Sequence, residues 1–463
     1  MGPEWVAILA LVALFVVGTV LPINMGALAY VAAWLVGLFS LGLSEREILG
    51  GISADLVLTL IGVTYLFAIA RFNGTVDLIV RTAIRAVGGR VALIPWVMFA
   101  VTAVITAIGA ASPAACAIVG PIALGFAARY RISALMMGMF VVHGAQAGGF
   151  SPISIYGTIT NSVMRENGLP SSEITIFVSS LVVNLILAAV LFVVLGGRQL
   201  TKLRLDPDDT AAPAAPGTGA RSGDGRDRVA AASGTGASPA TATRDTATRD
   251  TASGGSSTPD SGGASLRRDQ VLTLLAFVAV ATVALAFDKN IGFVSITAAV
   301  ILSILSPGRY KDSVKQIAWP TVLLVAGVST YAAILTKAGS PEFVGSWAAG
   351  LGAVVIGALI LCYVGGIVSA FASSTALLPV IIPIGIPLVA SGGISAGLFV
   401  AALAVCSTIV DVSPFSTNGA LMLANRPDTI TEPVYYQQIL RYSIIVTLVG
   451  PLLVWAGLVL PGW

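Results

Sequence analysis

Two short polar stretches interrupt long apolar sequence: Ser151-Pro152-Ile153-Ser154-Ile155-Tyr156-Gly157 and Ser413-Pro414-Phe415-Ser416-Thr417-Asn418-Gly419. Serine, proline, serine and glycine recur in them at one spacing, 262 positions apart. The same offset carries Ala111-Ser112-Pro113 onto Ser373-Ser374-Thr375, and Pro121-Ile122 onto Pro383-Ile384. Residues of this kind stop a helix and restart it. Half-helices are therefore expected to begin after Ser112-Pro113, after Ser151-Pro152, after Thr375 and after Ser413-Pro414. Serine would act as N-cap and proline would fill the first helical position, where its missing N–H is not needed. Each restart presents free N–H groups and about half a positive charge. Four of them converging would bind an anion without any lysine or arginine. The hydroxyls of Ser112, Ser151, Ser154, Thr158, Ser373, Ser374 and Thr375 would hydrogen-bond its carboxylate oxygens. Those of Ser413, Ser416 and Thr417, with the Asn418 amide, would do the same.

Asp411 is the sharpest single residue. A carboxylate inside a membrane is costly and usually functional, and this one falls just before the second break, with Gly149 as its counterpart at the 262-residue offset. It would ligate a cation or carry a proton; the plainer alternative is a helix cap or a water-facing side chain. Freed carbonyls at broken helices suit Na⁺, so Ser112, Gly149, Ser374 and Asp411 form the candidate sodium set. His143 is the single histidine, a proton carrier or substrate donor, or else a buried neutral ring with its hydrogen bonds satisfied. His143 and Ser151 also raise a hydrolase dyad, but no third orienting group and no nucleophile elbow accompany them.

These residues need a membrane scaffold to position them. The 463-residue chain is 56% hydrophobic and only 10% charged, against about 25% charged in soluble domains. Long Leu/Val/Ile/Ala runs suit helices, which satisfy their own backbone in lipid. The expected fold is therefore an all-α polytopic membrane protein. Apolar segments lie near 4–21, 25–43 and 54–70. Segment 91–128 is too short for two spans and reads as a re-entrant hairpin with its tip at Ser112; 133–164 is a broken helix and 172–197 closes the first half, 1–200. Residues 201–266, rich in Ala, Thr, Gly, Ser, Pro and Asp, read as a disordered linker. The second half, 267–463, repeats the plan: spans near 268–287, 291–305 and 318–336, a hairpin at 349–390, a broken helix at 393–424 and a last span at 437–460. Five crossings plus one hairpin per half make the two halves inverted repeats, with both breaks at the midplane, as in secondary transporters.

Charge supports that layout. With the linker cytoplasmic and both termini outside, only Arg46, Arg165, Lys289 and Lys337 of the 25 basic residues fall outside, as the positive-inside rule requires. Cys116, Cys362 and Cys406 lie in apolar runs without metal-ligand spacing and read as inert. Glu4 stands where a signal peptide would be basic, so the first helix reads as retained. No basic patch with interleaved aromatics points to nucleic acid.

At Ile61-Gly62-Val63-Thr64-Tyr65-Leu66-Phe67, running to Arg71-Phe72-Asn73-Gly74-Thr75, and at the paired hairpins and breaks, the chain resembles the divalent-anion:sodium symporter branch of the ion-transporter superfamily. It looks closest there to MatC-type dicarboxylate (malonate) carriers. The resemblance implies a scaffold domain that forms a homodimer, a moving transport domain of hairpins and broken helices, and location in the cell's inner (plasma) membrane. Family hairpin tips carry Ser-Asn-Thr; here the second is Ser373-Ser374-Thr375 and the first is Ala111-Ser112-Pro113. The expected activity is Na⁺-coupled import of a small dicarboxylate, with no cofactor besides that ion. H⁺ coupling or Na⁺/H⁺ exchange through Asp411 and His143 is the first alternative, and an intramembrane serine hydrolase the remote one.

Overall fold

The computed structural model describes residues 2–21, 23–85, 90–201, 261–287, 289–349, 354–370, 373–390 and 392–461. The expected linker lies outside the described residues from 202 to 260, and residues 261–266 open a helix. Among the described residues there is no β-strand. The first half comprises α1 (Pro3–Val20), α2 (Met25–Leu35), α3 (Glu45–Leu49), α4 (Ala54–Phe72), α5 (Thr75–Arg85), α6 (Ile94–Ala107), α7 (Ser112–Tyr130), α8 (Ala134–Gly148), α9 (Ile155–Glu166), α10 (Glu173–Val194) and α11 (Gly197–Leu200). The second comprises α12 (Ser261–Ala286), α13 (Ile291–Leu305), α14 (Trp319–Lys337), α15 (Ser340–Ala349), α16 (Val354–Ser369), α17 (Ser374–Ala390), α18 (Ala396–Ile409), α19 (Thr417–Ala424) and α20 (Glu432–Leu458).

Seven of these helices, α1, α4, α7, α10, α12, α14 and α20, are long and apolar enough to cross a membrane. Their outer sides are apolar: Val182, Leu185, Ile186, Val190 and Val193 of α10 are all exposed, as suits a lipid-facing helix. The chain is a multi-pass membrane protein.

The halves interlock. α2 packs on α14, and α4 on α13. Each crossing is a glycine contact. A Cβ on Gly327 would stand 2.0 Å from the Gly26 carbonyl oxygen, and one on Gly62 would stand 2.5 Å from that of Gly292. No side chain fits there, so the backbones meet directly, and dispersion over that close contact holds the helices together where lipid removes the hydrophobic drive. Helices α6, α7 and α8 pack together, as do α16, α17 and α18; α9 then lies on α17, and α19 on α7.

The loops sort onto two faces. Lys337 donates to the Glu47 carbonyl (3.1 Å), and Arg165 pairs with Asp55 (3.2 Å). The loops bearing Arg46, Arg165 and Lys337 thus share one face. On the other, Asn73 at the end of α4 donates to Thr273 (2.7 Å) and Tyr310 (3.3 Å), beside the Arg309–Asp269 ion pair (2.6 Å).

Candidate functional site

Each break is built by one serine. Ser416 Oγ donates towards the carbonyl oxygens of Asp411 (2.9 Å) and Ser413 (2.7 Å), and accepts from the Gly419 N–H (3.3 Å). Ser154 repeats this with the carbonyls of Gly149 and Ser151 and the Gly157 N–H (3.4 Å). The glycines are required: a Cβ on Gly157 would stand 2.0 Å from the Ser151 carbonyl oxygen, and one on Gly419 1.9 Å from that of Ser413.

The restarts differ from expectation in detail. α9 and α19 begin behind the N-caps Ser154 and Ser416, not behind Ser151 and Ser413. The Ser-Pro pairs form the turn itself. Ser151 Oγ donates to the Ala107 carbonyl (2.5 Å), and Ser413 Oγ accepts from the Phe415 N–H (3.1 Å). Pro113 does sit in the first turn of α7, but the cap is Ala111, without a side-chain bond. α17 starts at Ser374 rather than after Thr375.

Three stretches of chain, the start of α7, the end of α8 and the break between α18 and α19, meet around Asp411. Its Oδ2 accepts from the Asn418 amide (2.8 Å) and from Gln146 Nε2 (3.2 Å). The Asn418 amide also donates to Ser112 Oγ at the start of α7. Asp411 is the most exposed of the four, at 7%. Because both amides turn N–H groups to the carboxylate, Gln146 Oε1 and Asn418 Oδ1 are left buried without a hydrogen-bond partner. Such an orphan costs about 1–3 kcal/mol. No lysine or arginine occurs in 94–128, 134–164, 354–390 or 396–424. The cluster therefore presents a carboxylate, two amide oxygens and a hydroxyl, an all-oxygen set that fits a hard cation. Among the described residues no three His, Cys, Asp or Glu side chains gather.

Tyr156, the counterpart of Asn418 at the 262-residue offset, places its hydroxyl beside those of Ser112 and Thr375. It thus links the tip before α7 to the tip before α17. The other candidates are engaged elsewhere. Thr158 Oγ1 donates to the Ile155 carbonyl (3.0 Å), Ser374 Oγ pairs with Ser369 Oγ (2.8 Å), and the Gly149 carbonyl accepts from Ser154 and from the Gly157 N–H (3.2 Å). Ser373 and Thr417 line a cavity of about 350 Å³ with Asn24, Thr321, Phe415 and Ser416. His143 is fully buried and away from the cluster: Nδ1 donates to Asn184 Oδ1 (2.9 Å), whose amide N–H goes to the Ser180 carbonyl, and Nε2 accepts from Tyr442 (2.6 Å).

Gln146 and Tyr156 are the two site residues the sequence reading passed over. Gln146 is a polar side chain one turn before Gly149, and Tyr156 stands at the offset of Asn418; the rule applied to Asp411 and the repeat spacing point to each.

Residues 1–149 match the family model described as the dicarboxylate carrier protein MatC N-terminus, and residues 283–462 match that of the citrate transporter family. The structure is similar to that of the Alcanivorax borkumensis YdaH transporter, at 13% identity and a TM-score of 0.56, covering 91% of this chain and 88% of that one. No curated protein matched. Ser151 and His143 are each committed to other partners, and both family models describe transporters rather than enzymes. The first part of the chain is thus similar to dicarboxylate carriers of the MatC type and the last part to citrate transporters, two families of membrane transporters.

Proposed function

We propose that the protein imports a small dicarboxylate of the malonate class together with Na⁺. The buried Asp411–Gln146–Asn418–Ser112 cluster carries this reading. Na⁺ is cargo here. It would take the Asp411 carboxylate, the two orphaned amide oxygens and Ser112 Oγ as ligands, and in doing so would neutralise the carboxylate. The N-termini of α7 and α19 start beside this cluster, so their N–H groups face the space next to the cation. A dicarboxylate would bind there, between the tip residues Ser373, Ser374 and Thr375 and the Tyr156 hydroxyl. Cation and anion favour each other's binding by charge alone in a low-dielectric site.

The element order supports two inverted repeats, each of five crossings and one re-entrant hairpin. The hairpins are α6–α7 and α16–α17; the broken helices are α8–α9 and α18–α19. On this reading α1, α2, α4, α12, α13 and α14 form a scaffold that dimerises. The hairpins and broken helices form a transport domain that slides past it as an elevator. The face bearing Arg46, Arg165 and Lys337 is external, the linker is cytoplasmic, and the membrane is the cell's inner (plasma) membrane.

A second reading is favoured by Asp411 having amide donors but, among the described residues, no basic partner: a proton would neutralise it as well as sodium. Uptake of labelled malonate and succinate into proteoliposomes under an imposed Na⁺ or H⁺ gradient separates the two. Accumulation driven by Na⁺ is expected. Accumulation driven by H⁺ alone would replace sodium with the proton at Asp411, and none under either gradient would overturn the dicarboxylate assignment.

A further inference from the structure

The two faces of the molecule are closed by different means. On the face bearing Arg165, the first turn of α4 is tied to the end of α9. Asp55 Oδ2 accepts from Ser162 Oγ (2.8 Å) and from Arg165 Nη2 (3.2 Å), and its other oxygen is held by the Asn290 amide at the start of α13. Arg165 Nη2 also donates to Ser162 Oγ (3.0 Å), and its Nη1 lies 3.7 Å from Glu173. Two residues before Asp55, Ser53 donates to Glu166. The N-cap and the first turn of α4 thus grip one turn of the transport domain.

The opposite face has the same frame without the grip. Asn24, the N-cap of α2, donates to the Pro320 carbonyl (3.2 Å) as Asn290 does to Asp55. The position equivalent to Asp55 is that same Pro320, and those equivalent to Ser162 and Arg165 are Ala424 and Pro427. The Asp55, Ser162 and Arg165 positions keep no polar side chain, and Asp428, at the position of Glu166, has Ala318 where Ser53 would stand. The cavity of about 350 Å³ opens there instead, lined by Asn24, Pro320, Thr321, Ser373, Phe415 and Thr417. It reaches a hairpin tip and a break. A cavity of about 460 Å³ beside the tied face is lined by Ser53, Glu166, Lys337, Pro379 and Pro383, among others, but by no residue of a tip or break.

We propose that Asp55 is a one-sided latch: it holds α9 on the scaffold while the site opens to the opposite face, and must release Arg165 and Ser162 each time the transport domain crosses. The inference rests on the elevator reading above. Asp55 and Arg165 are partly exposed, at 30% and 46% of their side chains, which suits a contact made and broken in water rather than a permanent core pair.

The test uses the full chain in nanodiscs with Cys116, Cys362 and Cys406 replaced by alanine. Thr321→Cys reports on the cavity through labelling by a water-soluble maleimide. Asp55→Ala and Arg165→Ala should each lower the labelling rate by about fivefold, as the latched population falls. The charge exchange Asp55→Arg with Arg165→Asp should restore a substantial part of it, which a variant that merely misfolds would not do. Unchanged labelling in both single variants, with parental elution on size exclusion, would overturn the latch. Labelling of the parent is also compared with and without Na⁺ plus malonate. A rate that ignores these ligands but falls in Asp55→Ala counts against the substrate assignment and leaves the latch standing.

Discussion

At the scale of single residues, Asp411 is bound by the amides of Gln146 and Asn418, whose own oxygens are buried without a donor. Asp411→Asn keeps the shape and removes the charge. Na⁺-driven uptake should fall by more than about tenfold, while thermal stability holds or rises, because burying an unpaired charge is costly. Flux and the apparent unfolding midpoint of the same preparation check both halves of the claim. Gln146→Leu and Asn418→Leu delete the orphaned oxygens Gln146 Oε1 and Asn418 Oδ1. Each should raise the Na⁺ concentration for half-maximal uptake by about tenfold, roughly the effect of one lost ligand interaction of 1.4 kcal/mol. His143 has a different standing. Both ring nitrogens are occupied, by Asn184 and Tyr442, so His143→Gln should cost stability, about 1–2 kcal/mol for the lost hydrogen bonds. The pH profile of uptake should stay where it was, and a profile displaced by this substitution would return His143 to proton transfer.

At the scale of elements, the broken helices stand on a serine and a glycine three residues apart. Ser154→Ala and Ser416→Ala each remove a cap that engages two carbonyls and one N–H. A loss of about 1–2 kcal/mol is expected for each. Gly157→Ala and Gly419→Ala are worse, since the new methyl would enter the carbonyl of residue 151 or 413. Those variants should lose folded protein altogether, seen as aggregation on size-exclusion chromatography, whereas the serine variants remain monodisperse with lowered midpoints. The prolines of the breaks have a role unlike the one their position suggests. They form the turn before the cap, and the helix starts three residues later, because Ser154 and Ser416 close a local ring that Ser151 and Ser413 do not.

At the scale of the whole molecule, four glycines fix how the halves are joined. Gly26 against Gly327, and Gly62 against Gly292, bring backbones too close for any side chain. Gly327→Leu or Gly62→Leu should prevent the helices from crossing and abolish stable expression, while a leucine at lipid-facing Val190 should do nothing measurable. Comparing membrane yields of the three variants tests this directly. The tie at Asp55 belongs to the same scale, because it joins elements from both halves across one face only.

The sequence by itself determined the elements. Apolar run lengths marked the helices, and the 262-residue offset marked the interruptions before α9 and α19, because lipid forces every backbone group to be satisfied within a helix or at a deliberate interruption. Asp411 and Asn418 were legible for the same reason: polar groups stand out where polarity is costly. The tertiary structure decided which of the many hydroxyls meet. Ser151, Ser154, Thr158, Ser413 and Ser416 look equivalent to Ser112 in sequence, yet Ser154, Thr158, Ser413 and Ser416 spend their oxygens on backbone within a few residues and Ser151 on the Ala107 carbonyl, while the packing of α19 on α7 brings Asn418 to Ser112. Gln146 joined Asp411 by the same route, across a distance of 265 residues. A hydroxyl's partner depends on its orientation and on long-range packing, and neither is written in local spacing.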